Sequence, residues 1–127
     1  MIQDAHPMRS GVPDSYDALY KIDVVAAASN WTVNSDRLPS GFGAGTNVFS
    51  ATGIANIVFP AGMKVRCANA GVSAPTTTVG DQRSAEVVNI NEAAGTAQIA
   101  ITDRATPSLA NPVINSIIWA RLTLETV

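Results

Sequence analysis

A chain of 127 residues with a net charge of −2 and only 14% charged side chains has room for one modest hydrophobic core. That balance removes the electrostatic motive for nucleic acid or an anionic membrane surface as a partner. A single cysteine, Cys67, excludes an internal disulfide framework, and no apolar run approaches the length that spans a bilayer.

The first ten residues, MIQDAHPMRS, contain Asp4 and no apolar segment, unlike a secretory signal. Strong cations are two Lys and six Arg, and the Arg are scattered without a basic stripe. Ala, Thr, Ser, Asn and Gly fill the positions where charge is usual. Such a surface suits subunit contacts, whose centres are depleted of charge, and it equally suits a low-charge monomer.

Residues 1–14 hold Pro7 and Pro13 and read as an extended N-terminal arm, with a single domain over residues 15–127. Tyr16, Ala18, Tyr20, Ile22 and Val24 then share one face of a period-two pattern, with Asp17, Lys21 and Asp23 on the other. A short helix capped at Asp14 or Ser15 is the competing reading. The run Ile22-Asp23-Val24-Val25 favours the strand.

Farther on, residues 54–59 form an apolar run closed by the turn signal Pro60-Ala61-Gly62. Met63, Val65 and Cys67 alternate with Lys64, Arg66 and Ala68, giving a second strand with Cys67 as a small buried hydrophobe. Residues 69–82, NAGVSAPTTTVGDQ, read as an exposed loop. Residues 84–91 form another strand, and Glu92-Ala93-Ala94-Gly95 turns the chain. Ala97, Ile99 and Ile101 face one way in the strand that follows.

In the last run Ile118, Ala120, Leu122 and Leu124 oppose Trp119, Arg121, Thr123 and Glu125, and this strand is expected inside a sheet. No segment of ten residues holds a helical period. The fold class expected is all-β: a single antiparallel β-sandwich, jelly-roll-like, with the extended arm before it.

Few residues offer chemistry. SGFGAGT, residues 40–46, has the look of a phosphate loop, but Gly45 is followed by Thr46 and Asn47 where a P-loop needs Lys. A dinucleotide fingerprint needs glycine at position 46, and Val48-Phe49-Ser50 begins a strand instead of a helix, so the stretch reads as an inter-strand loop.

His6 is the only histidine and would have to serve a triad from the arm, so an exposed or interface role suits it better. Zinc would need more Cys or His than this chain has. Asp14, Asp17, Asp23, Asp81 and Asp103 lack the dense alternation of a calcium loop. Asn30-Trp31-Thr32 matches the glycosylation triplet, which acts only on a secretory route. Trp31 and Trp119 read as core or interface anchors or, if exposed together, as a sugar platform. No catalytic residue, cofactor or metal is expected.

Four stretches carry a family likeness: Gly53-Ile54-Ala55-Asn56-Ile57-Val58-Phe59-Pro60, Glu86-Val87-Val88-Asn89-Ile90-Asn91, Gly95-Thr96-Ala97-Gln98-Ile99-Ala100-Ile101 and Ile117-Ile118-Trp119-Ala120-Arg121-Leu122. Together they resemble the small jelly-roll or C1q-like β-sandwich modules of bacteriophage virion proteins. The glycine expected after the Trp strand is replaced by Leu122-Thr123-Leu124, a departure from tail-fibre tips in particular.

The resemblance implies a virion structural protein, assembled in the host bacterial cytoplasm as a homo-oligomer, a trimer by analogy. It implies a head-decoration (cement) or head-fibre subunit whose arm, residues 1–20, grips the major capsid protein or another virion protein. Trp31, Trp119, Tyr16 and Tyr20 are the expected partner contacts. The alternative is a tail-fibre or receptor-binding module recognising host-surface carbohydrate. An enzyme ranks last.

Overall fold

The computed structural model describes residues 5–6, 15–24, 31–34 and 41–126. Among these, strands dominate, and the only helical element is a single 3-10 turn, Val79–Asp81. The strands are β1 (Ala5–His6), β2 (Ser15–Val24), β3 (Trp31–Asn34), β4 (Gly43–Ala51) and β5 (Ile54–Val58). They continue with β6 (Lys64–Ser73), β7 (Arg83–Asn91), β8 (Thr96–Asp103) and β9 (Ile117–Glu125).

All pairings are antiparallel, in two sheets. Sheet 1 runs β1–β2–β9–β6, with β3 beside the second half of β2. Sheet 2 runs β4–β5–β8–β7. The wrap is jelly-roll-like: β2 pairs β9 in one sheet, the pair β5–β8 nests inside it in the other, and β6 and β7 extend the two sheets. The expected all-β sandwich is therefore the fold, and β9 lies between β2 and β6 within its sheet.

The core follows from alternation. Ala18, Tyr20, Ile22 and Val24 of β2 and Ile118, Ala120, Leu122 and Leu124 of β9 turn inward from sheet 1. Ala55 and Ile57 of β5 and Ala97, Ile99 and Ile101 of β8 meet them from sheet 2, all within one cluster. Each fully buried Ile or Leu contributes about 1.5–3 kcal/mol relative to exposure. The Tyr20 hydroxyl crosses the gap and donates to the Val58 carbonyl at 2.7 Å, tying the sheets together.

Two turns interlock at one end. Phe59 N–H donates to Gly95 O at 2.9 Å, and Gly62 N–H to Glu92 O at 2.7 Å. The Glu92 carboxylate accepts the Val65 N–H at 2.6 Å. Gly95 has φ 71°, and a Cβ there would lie 2.8 Å from Ala61 N, so glycine is required twice over.

Four sequence expectations need correction. Cys67 is exposed, because a bulge at Arg66 sets Val65 opposite Leu124 and Cys67 opposite Thr123. The extra residue reverses the alternation, so Ala68, Ala70 and Val72 pack on the core instead. The expected loop at 69–82 is strand as far as Ser73, paired from Asn69↔Arg121 to Ser73↔Ile117. In SGFGAGT the strand begins at Gly43, paired with Val58, and no helix follows Thr46.

The arm is the fourth. Residues 15–20 belong to β2 and pair with β9 inside the sandwich, so any arm ends by residue 14. Within it, Ala5 and His6 pair back onto Tyr16 and Ser15.

Candidate interaction surface

The outer face of sheet 1 is set by the register of three strands. The rows across β2, β9 and β6 are Leu19–Arg121–Asn69, Lys21–Trp119–Gly71 and Asp23–Ile117–Ser73. Trp119 stands at the centre. Its ring lies over Gly71 on the neighbouring strand, where a Cβ would come within 2.6 Å of Trp119 Cε2. Glycine leaves the strand without a side chain, and the indole fills the space and covers the exposed backbone.

Around the indole a few exposed apolar residues stand among charged and polar ones. Leu19 is 56% exposed and Ile117 36% exposed, while Trp119 is half-buried. Six of the charges on this face form ion pairs, and Lys64, opposite Glu125, adds a further cation. Arg121 Nε donates to Asp17 Oδ1 at 2.8 Å, and its Nη2 donates to Asp17 Oδ2. Arg66 Nε meets Glu125 Oε2 at 2.7 Å, and Lys21 Nζ lies 3.7 Å from Asp23 Oδ1.

The hydrogen bond from Arg121 holds the Asp17 carboxyl below its ordinary range, against an opposing effect of desolvation. The same contact raises the Arg121 guanidinium. The pair is exposed, so it fixes side-chain direction more than it adds stability.

The outer face of sheet 2 is built differently. Asn89 Nδ2 donates to Gln98 Oε1 at 2.8 Å, and Gln98 Nε2 donates to Asn56 Oδ1 at 3.0 Å. This amide ladder crosses β7, β8 and β5. At the end of the sandwich where the 104–116 loop lies, Arg83 pins two loops, donating to Asn111 O at 3.0 Å and to Gly80 O at 2.8 Å.

The four aromatic residues expected to meet partners are not gathered into one site. Trp119 is central on the sheet 1 face. Trp31 lies in β3 opposite Val24, three positions along β2 from Lys21 and of opposite parity. Tyr16 is half-buried near the start of β2, its ring 6.3 Å from that of Phe42. Tyr20 is wholly buried, and burial pushes its phenol pKa well up. It is a core residue and leaves the set of direct partner contacts, because it lies on the apolar side of the β2 alternation.

His6 stands opposite Ser15 in β1. Of the carboxylates weighed for calcium, Asp17 pairs with Arg121, Asp23 with Lys21, Asp81 accepts from Thr76 Oγ1 and Asp103 from Ala105 N–H. Asp14 lies outside the described residues. No group of three His, Cys, Asp or Glu that could hold a metal ion occurs among the described residues.

Leu19, Gly71 and Ile117 escaped the sequence reading. Leu19 carried a usable signal, an apolar residue in phase with Asp17, Lys21 and Asp23. Gly71 carried none, since its reason for being glycine is a ring on a strand far along the chain. Comparisons with family models, with curated proteins and with solved structures return no match.

Proposed function

We propose that this chain is a structural protein of a bacteriophage virion, a head-decoration (cement) or head-fibre subunit. It binds the particle surface and stabilises it through contacts between copies and with the major capsid or another virion protein. The observation that carries this reading is the outer face of sheet 1, where Leu19, Ile117 and Trp119 stand exposed or half-exposed among paired charges. The likeness of residues 53–60, 86–91, 95–101 and 117–122 to small virion modules supports it further.

In this role the work is mechanical. One core shared by two sheets resists bending, and the faces and edges do the touching. Residues 1–14 serve as the grip on the particle, since β2 is committed to the sandwich from Ser15.

Mixing the purified protein with empty heads and imaging by negative stain tests the reading. Regularly spaced density on the heads, and heads that survive higher temperature, are the expected results. Bare heads at saturating protein would reject it.

A second reading, a tail-fibre or receptor-binding module for host-surface carbohydrate, rests on Trp119, whose half-exposed ring is the kind of platform on which a sugar stacks. A glycan array separates the two. A signal abolished by Trp119→Ala supports the second reading, and no signal removes it.

A further inference from the structure

We infer that the loop end of the sandwich opens and closes as one unit, with the Arg83 guanidinium as its latch. The unit joins the β4–β5 turn at Gly53, the turn at residues 76–82 and the segment 104–111. This coupling is a property of the fold and stands apart from the virion reading.

Each of the three pieces is tied to another through a partner far along the chain. Arg83 Nη1 donates to Gly80 O at 2.8 Å and to Gln82 O at 3.1 Å, while Nε donates to Asn111 O at 3.0 Å. One guanidinium thus holds residues 80–82 and residue 111 together. Asn111 carries the connection onward, because its Oδ1 accepts the Gly53 N–H at 3.0 Å.

Backbone bonds run between the same pieces. Arg104 N–H donates to Gln82 O at 3.3 Å, Ala110 N–H to Ile101 O at 3.0 Å and Ile101 N–H to Gly53 O at 2.7 Å. The fit is close: a Cβ on Gly53 would lie 2.6 Å from Ile101 O and 2.9 Å from Ala110 N.

Burial makes the latch all-or-none. The Arg83 side chain is 13% exposed, and Asp103 Oδ2 stands 3.9 Å from Nη1 as its counter-charge. Bonds from a charged donor are roughly twice as strong as neutral ones. A guanidinium this far out of water is left short of partners when one acceptor departs, so its contacts break together. Lysine cannot stand in, since a point charge has no rigid fork to bridge Asn111 and Gly80.

The consequence is a surface set in place before anything touches it. Val79 and Leu109, both exposed, are carried by the two pieces that Arg83 joins. Loops ordered in advance lose less freedom on making a contact, which lowers the cost of any contact made there.

Amide hydrogen exchange of the full chain, followed residue by residue across a urea series, tests the inference. The amides read are Gly53, Gln82, Asp103 and Ala110, with Ile99 and Leu122 as core references. In the wild type the first four should share one urea slope, smaller than that of the core amides. Arg83→Met, which keeps the stem and loses the donors, should speed exchange at all four by about tenfold or more. Arg83→Lys should do the same, because the fork is what joins the pieces. Arg66→Met, which removes an exposed guanidinium near the other end of β6, should leave the four unchanged.

Four different slopes in the wild type overturn the inference, even if an Arg83 variant fails to fold. Unchanged exchange in Arg83→Met, or faster exchange confined to Gln82, overturns it too, since the pieces would then move separately. Full protection in Arg83→Lys would assign the effect to charge beside Asp103 and reject the fork as the latch.

Discussion

The inner faces of the two sheets are made to one recipe and the outer faces to two. Inside, β9 and β8 both alternate aliphatic residues that meet in a common cluster. Outside, sheet 1 offers an indole resting on a glycine with Leu19 and Ile117 beside it, while sheet 2 offers amides bonded to one another. A fold of this kind is stabilised by what its sheets share and given a use by where they differ. Covering Leu19, Ile117 and Trp119 releases water at a gain; burying the amide ladder strands donors and acceptors.

The largest effects should come from breaking the shared recipe. Leu122→Ala in sheet 1 and Ile99→Ala in sheet 2 each delete a fully buried side chain, and each should cost about 2–5 kcal/mol by urea unfolding. Similar losses with one common transition would support a single core. Two separate transitions, or a loss confined to one sheet, would break that half of the comparison.

Smaller effects should sharpen the outer half. Gly71→Ala forces the Trp119 ring away and should cost about 1–3 kcal/mol, with a change in indole fluorescence in a Trp31→Phe background. Gln98→Ala removes two amide contacts whose partners can turn to water, at about 0.5–1 kcal/mol. Should the ladder variant prove the costlier of the two, the sheet 2 face would be the more structural one.

The smallest effect is in the acid range. The Asp17 carboxyl titrates below its ordinary value of 3.8 in the folded chain, so its contribution is complete above that value and fades as pH falls through the folded one. The urea midpoint of Asp17→Asn should lie slightly under wild type at neutral pH and converge with it as pH falls below 3.8. A gap that stays constant down to pH 2 would show that the Arg121 contact is not its origin.

How much was legible depended on whether alternation ran unbroken. In β2, β8 and β9 no extra residue interrupts the alternation, and the faces read from the letters are the faces in the fold. β6 defeated the same rule because Arg66 is an extra residue that shifts every later side chain across the sheet, taking Cys67 outward. Its small residues, Ala68 to Gly71, also resemble a loop, because what excuses them is supplied by another strand. Tyr20 was legible as an inward residue, yet its aromatic character drew it into the partner set. Of the candidate face, Trp119 was visible as an aromatic out of phase with Ile118 and Ala120, whereas its seat on Gly71 depends on pairing that no local pattern encodes.

Ser15 and Glu125 are partners in the β2–β9 register, with that ladder running away from them as far as Asp23 and Ile117. Tension applied between these two points would open the ladder like a zip, one rung after another, where a pull along the strands would have to shear many rungs together. A load on this protein is therefore borne best as pressure on its flat sides or as a pull from one end. Stretched between residues 15 and 125, the sandwich would give way at its weakest geometry.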